Sequence, residues 1–147
     1  MAGRRAVKPL VVFSDVQSAG AGVLRAALAA RSEDYAEGVK VGTLVPGDRS
    51  PETPHLPYVL VRLDVTLPHG SMANARCTLR CTVWHEDADR AHDLAQLCQG
   101  LLLIHDGTVL RSVRPATGPL PAVDNTDSAV DLSTFTVTVN VRPTVLT

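Results

Sequence analysis

The side chains best suited to chemistry in this chain are three cysteines and five histidines. Cys77, Cys81 and His85 form a series that invites a zinc reading, but the stretch holding them reads as a β-strand. Four residues at about 3.3 Å each set Cys77 and Cys81 roughly 13 Å apart, beyond the ~7 Å limit for a disulfide. An extended strand also cannot wrap three ligands around one tetrahedral ion that holds them at about 2.0–2.3 Å. An odd cysteine count gives no disulfide framework, so Cys77, Cys81 and Cys98 are expected as buried, reduced thiols, as suits a reducing compartment. His85 and His92 could approach across the start of a helix, with Asp89, as a metal or acid/base site. Ordinary surface or boundary histidines are the simpler reading, shared by His55, His69 and His105. Asp87, Asp89 and Asp93 are better explained by capping and solubility than by paired-carboxylate catalysis. Gly20 and Gly22 lie inside a helical pattern with no following Lys-Ser/Thr pair, so they make no phosphate loop, and no Gly-x-Ser-x-Gly elbow occurs. The expectation is a protein that is not an enzyme, with no catalytic or metal-binding residue and no cofactor.

The elements that carry these residues follow from periodicity. Ser14 offers a helix N-cap with Gln17 completing a capping box. Val16, Gly20, Val23, Leu24, Ala27 and Leu28 then recur at helical spacing, which predicts a helix over 15–31. A short strand is predicted over 39–45, followed by a long exposed loop from Pro46 to Pro57, whose prolines exclude a helix or central strand. Two alternating runs, 58–66 and 75–84, read as an antiparallel hairpin turning at 68–71. Glu86, Asp87 and Asp89 suit the positive end of a second helix, which stops near Ile104. Its buried stripe is Ala88, Ala91, Leu94, Ala95, Cys98, Leu101 and Leu102, and Glu86 and Arg90 are spaced for an ion pair. A strand over 108–114, a Pro/Gly/Asp-rich loop from Pro115 to Asp127 and a final strand over 135–142, ended by Pro143, complete the order.

At 147 residues and 15.6 kDa the chain fits one domain, with an extended basic arm over 1–13, a body over 14–143 and a short tail over 144–147. The fold class expected is α+β: a mostly antiparallel sheet of about four to five strands with two helices packed on one face. Aromatic residues are only 3%, so Val, Leu and Ala must build the core. A net charge of −1 lacks the basic excess of a dedicated nucleic-acid binder. No apolar run approaches the ~20 residues of a membrane span, and the start is too short in apolar residues for a signal-peptide core.

The face that the helices leave over carries Arg62, Asp64, Arg76, Thr78, Arg80, Thr82, Thr136, Thr138, Asn140 and Arg142. It reads either as a solvated surface or as one that lines a channel or meets another subunit. Trp84 ends the hairpin on that side, as a packing plug against the second helix or as an interface anchor.

The element order, the segment Leu56-Pro57-Tyr58-Val59, the join Cys81-Thr82-Val83-Trp84-His85-Glu86-Asp87, Gly118-Pro119 and the closing run from Phe135 to Arg142 resemble the small tail terminator proteins of long-tailed (siphovirus-type) bacteriophages. The resemblance covers about residues 14–143. It implies a structural virion protein that forms a homo-hexameric ring on the tail tube, ends its polymerisation and joins it to the neck proteins of the head. The partners implied are other copies of the chain, the major tail tube protein and neck or head-completion proteins, with double-stranded DNA passing through unheld and no membrane. The place implied is the head-proximal end of the tail, after assembly in the host cytoplasm. Arg62, Arg76, Arg80, Thr136, Thr138 and Arg142 are the candidate lumen or subunit-contact face. Asp48, Arg49, Glu52, His55, Asp124 and Asp127 mark candidate docking loops. Another neck component, such as a head-completion or stopper protein, is the alternative in the same class. A small metal-dependent hydrolase and a cellular binding module are alternatives in others.

Overall fold

A computed structural model gives the fold over residues 10–13, 15–44, 56–71, 74–107, 109–123 and 131–146. The first helical pattern becomes α1, Val16–Ala29, one residue shorter at its start and two shorter at its end than predicted. Its N-cap is Asp15, whose carboxylate accepts the Ser18 N–H at 3.2 Å and the Ser18 hydroxyl at 3.0 Å. Those bonds hold the Asp15 carboxyl below its usual range. Gln17 is not part of a capping box. Its Oε1 instead accepts the Leu63 N–H, 2.6 Å away on the sheet.

The sheet has five strands: β2 (Lys40–Gly42), β3 (Tyr58–Ser71), β4 (Asn74–His85), β5 (Leu110–Val123) and β6 (Asp131–Val141), with β1 (Leu10–Phe13) kept apart. Their spatial order is β2-β3-β4-β6-β5, with β2 parallel to β3 and every other neighbour antiparallel. The predicted α+β class, a mostly antiparallel sheet with two helices packed on it, is the fold observed. The second helix, α2 (Ala88–Leu103), is capped at its start by Asp87, which accepts the Arg90 N–H at 2.8 Å, and at its end by Ile104. It lies over β4, β6 and β5, while α1 lies over β2 and β3 and touches α2. Arg90 does not pair with Glu86, which falls outside the helix. It reaches Asp87 at 3.6 Å and Asp34, in the 3-10 turn Asp34–Ala36, at 3.7 Å.

Two departures from the sequence reading share a cause. The hairpin was expected to turn at 68–71, yet pairing continues to Ser71↔Asn74, with a register shift between Leu67 and Ser71. The stretch from Pro115 was expected to be a loop, yet β5 runs on through Pro115, Pro119 and Pro121 to Val123. Proline cannot donate to a ladder and is tolerated on edge strands and at bulges. β5 is an edge strand, and its register shifts fall between Pro115 and Thr117 and between Thr117 and Leu120. At the termini, β6 ends at Val141, one residue earlier than predicted, and Pro143 does not stop the chain's strands but opens another, β7 (Pro143–Leu146). This strand pairs antiparallel with β1 from Leu10↔Leu146 to Phe13↔Pro143, so the end of the arm and the tail make one ribbon.

The core lies between sheet and helices. Val59, Val61, Leu79, Cys81, Val83, Phe135, Val137, Val139 and Val141 meet Leu24 and Leu28 of α1 and Leu94, Ala95, Cys98 and Leu102 of α2. Each fully buried Val or Leu stabilises by about 1.5–3 kcal/mol. Gly20 sets how closely α1 approaches: a Cβ there would sit 3.0 Å from Leu79 Cδ1 and 3.3 Å from Val61 Cγ1.

Candidate functional site: the helix-free sheet face

The residues first weighed for chemistry are held by backbone and core. His85 is buried at the end of β4, its Nδ1 accepting the Glu86 N–H at 2.7 Å and its Nε2 lying 2.9 Å from the Tyr35 carbonyl oxygen. An accepting Nδ1 leaves Nε2 as the protonated nitrogen, donating to Tyr35. Both ring nitrogens are thus engaged with backbone, and His85 ties β4 to the 3-10 turn rather than meeting His92. Cys77, Cys81 and Cys98 are buried and free of disulfides, as expected. Burial pushes the Cys98 thiol up to about 12, and burial together with nearby Cys98 raises Cys81 as well. Among the described residues, no group of three or more His, Cys, Asp or Glu side chains could hold a metal ion.

With both helices on one side, the opposite face of the sheet is left to the alternate residues of β3, β4, β6 and β5. Cross-strand register arranges them in rows. Arg62 stands opposite Arg80, which stands opposite Thr136; Thr78 faces Thr138; Arg76 faces Asn140. β5 extends the rows, placing Ser112 opposite Asn140 and Arg114 opposite Thr138.

The rows fall into three zones. At one end Tyr58, Leu60 and Trp84 are buried, with half-buried Leu56 and Leu132 packed against them, the Tyr58 and Trp84 rings 6.1 Å apart and tilted by 50°. Trp84 is therefore part of a second apolar cluster on the helix-free side and does not plug against α2. Gly42 leaves room for the Tyr58 phenol, which donates to the Leu44 carbonyl.

The middle zone is electrostatically settled. Arg80 grips Asp64 with two parallel bonds at 3.1 and 3.2 Å, and Arg62 donates to the Thr43 carbonyl at 3.1 Å. Thr136 is buried, its hydroxyl 2.8 Å from that of Thr117, and the same Thr117 oxygen accepts the Thr136 N–H at 3.1 Å.

The far zone is a groove of about 290 Å³ lined by Arg76, Ser112, Arg114, Pro115, Thr138 and Asn140. Arg76 and Arg114 are exposed and have no acidic partner among the described residues.

Of the face residues expected from sequence, Arg62, Arg76, Arg80, Thr136 and Thr138 share this surface. Arg142 lies exposed between β6 and β7, its N–H donating to the Val109 carbonyl at 3.1 Å. The docking-loop candidates Asp48, Arg49, Glu52, His55, Asp124 and Asp127 lie outside the described residues. The sequence reading missed Ser112 and Arg114 as face residues. Their signal was a Ser-x-Arg alternation, obscured by the register shift between Leu110 and Ser112.

No family model matches the chain, and no curated protein matches it.

Proposed function

We propose that the chain is a tail terminator subunit of a long-tailed bacteriophage, a structural protein that works as a ring of six. The ring caps the tail tube, ends its growth and offers its other side to neck proteins of the head, while DNA passes through. The observation that carries this reading is a five-stranded sheet with both helices on one side and a zoned, uncovered face on the other. This supports repetition of one subunit through the sheet face, alongside the sequence resemblance over about residues 14–143.

The edges of the sheet favour the face over the edges as the contact. Three prolines interrupt β5, and Gln17 caps the Leu63 N–H on β3, beyond the last pairing of β2 at Gly42↔Leu60. Both devices remove or occupy donors that edge pairing would need. Negative-stain microscopy of the purified chain mixed with tail tubes tests the reading. A terminator gives a ring at one end of each tube. Attachment to filled heads with bare tube ends would instead make the chain a stopper, and absence of any ring would contradict the proposal.

A further inference from the structure

We propose that the groove between Arg76 and Arg114 is a binding site for a tetrahedral oxyanion of the phosphate class. The site is built by register. Arg76, Asn140 and Ser112 lie in one cross-strand row, and Thr138 and Arg114 in the next, so the two guanidiniums flank β6 diagonally from β4 and β5. Neighbouring strands lie about 4.8 Å apart, so β4 and β5, on either side of β6, are about 10 Å apart, a span that two long arginine side chains can close around one small ligand.

Among the described residues, every polar side chain lining the groove can donate a hydrogen bond: two guanidiniums, the Ser112 and Thr138 hydroxyls and the Asn140 amide. No carboxylate among the described residues lines it. The contrast with the neighbouring zone is internal to the molecule. Arg80 has Asp64 and Arg62 has the Thr43 carbonyl, whereas Arg76 and Arg114 hold their charge toward the groove without such a partner among the described residues.

A planar carboxylate offers its acceptor sites in one plane, and one arginine fork takes one edge of it, as Arg80 does with Asp64. A tetrahedral group presents oxygens in several directions and can accept two forks and the hydroxyls together. The groove, about 290 Å³, has ample room for a phosphate group between the two arginines. The shared chemistry is phosphate, whether free in solution or part of a nucleic-acid backbone. The inference goes beyond the ring reading and concerns the uncovered groove of a single chain; a contact that brought a neighbouring copy over this part of the face would compete with the anion.

The test is titration of the full chain by NMR with inorganic phosphate, with acetate, and with a short DNA duplex. Saturable phosphate binding at one site per chain is expected, with shifts centred on Ser112, Thr138 and Asn140. Arg76→Gln and Arg114→Gln should each weaken it at least about tenfold, the worth of one charge-assisted hydrogen bond. Arg111→Gln, the same charge change outside the lining, should leave it unaltered. Duplex binding with the same dependence on Arg76 and Arg114 would assign the phosphate to nucleic acid. Binding of inorganic phosphate alone would assign it to a free anion. Acetate binding equally well, weak shifts spread over the surface, or equal sensitivity to Arg111→Gln would each overturn the proposal. The amide spectrum of each variant distinguishes loss of the site from loss of the fold.

Discussion

Gly20 and Gly22 sit two residues apart in α1, and the same substitution should have opposite consequences at them. A methyl group at Gly22 would meet nothing within 4 Å, so Gly22→Ala should gain the helix preference of Ala, about 0.5–1 kcal/mol. At Gly20 the same gain is set against crowding of Leu79 and Val61 inside a packed core, where overpacking costs about 1–3 kcal/mol. Urea unfolding should therefore show Gly22→Ala more stable than the parent and Gly20→Ala no better or worse; equal gains would mean that α1 can back away from the sheet. The buried thiols make a second prediction at this scale. Above the ordinary thiol pKa of 9.0 the unfolded chain releases protons that the native core retains until about pH 12, so stability falls as pH rises through that window. The slope is about 1.4 kcal/mol per pH unit for each such thiol. Cys98→Ala should lose stability less steeply between pH 8 and pH 10 than the parent, and identical slopes would contradict burial of a neutral thiol. The core role of the cysteines was legible in strand alternation and helical spacing. The engagement of His85 was not, because its partners are backbone groups of Tyr35 and Glu86.

Among the elements, α2 and β6 stood out because their periodicity is unbroken from Ala91 to Leu102 and from Phe135 to Val141. β5 did not, since Pro115, Pro119 and Pro121 read locally as breakers and only a place at the sheet edge makes them admissible. The register shift between Leu110 and Ser112 also hid the arginine groove, whose second wall is β5 itself. The edges carry predictions of their own. Gln17→Ala frees the Leu63 N–H and removes a tie between α1 and β3, which should cost about 0.5–1.5 kcal/mol in urea unfolding. Replacing Pro119 and Pro121 together with Val restores two backbone donors on an edge that already exposes Leu120. That variant should self-associate more strongly in light scattering. Unchanged association would show that the prolines do not guard this edge.

For the whole molecule, the placement of both helices on one side means that a repeating contact face-on to the sheet would use the zoned face. Its apolar end, its paired middle and its basic groove are different surfaces, and a ring contact would bring them against a neighbouring copy. A charge at Thr138 would fall within that face, whereas one at Thr136 would disrupt the buried bond to Thr117 and test the fold instead. Thr138→Glu should therefore lower the assembled mass while the folded signal by circular dichroism is kept. The net charge of −1 is near neutral, while two arginines, Arg76 and Arg114, line one groove. The most direct measurement is the mass in solution by light scattering across rising protein concentration. A ring-forming terminator predicts convergence on about six times the 15.6 kDa of one chain, with no further growth. A mass that stays at one chain, or climbs without a plateau, would contradict it.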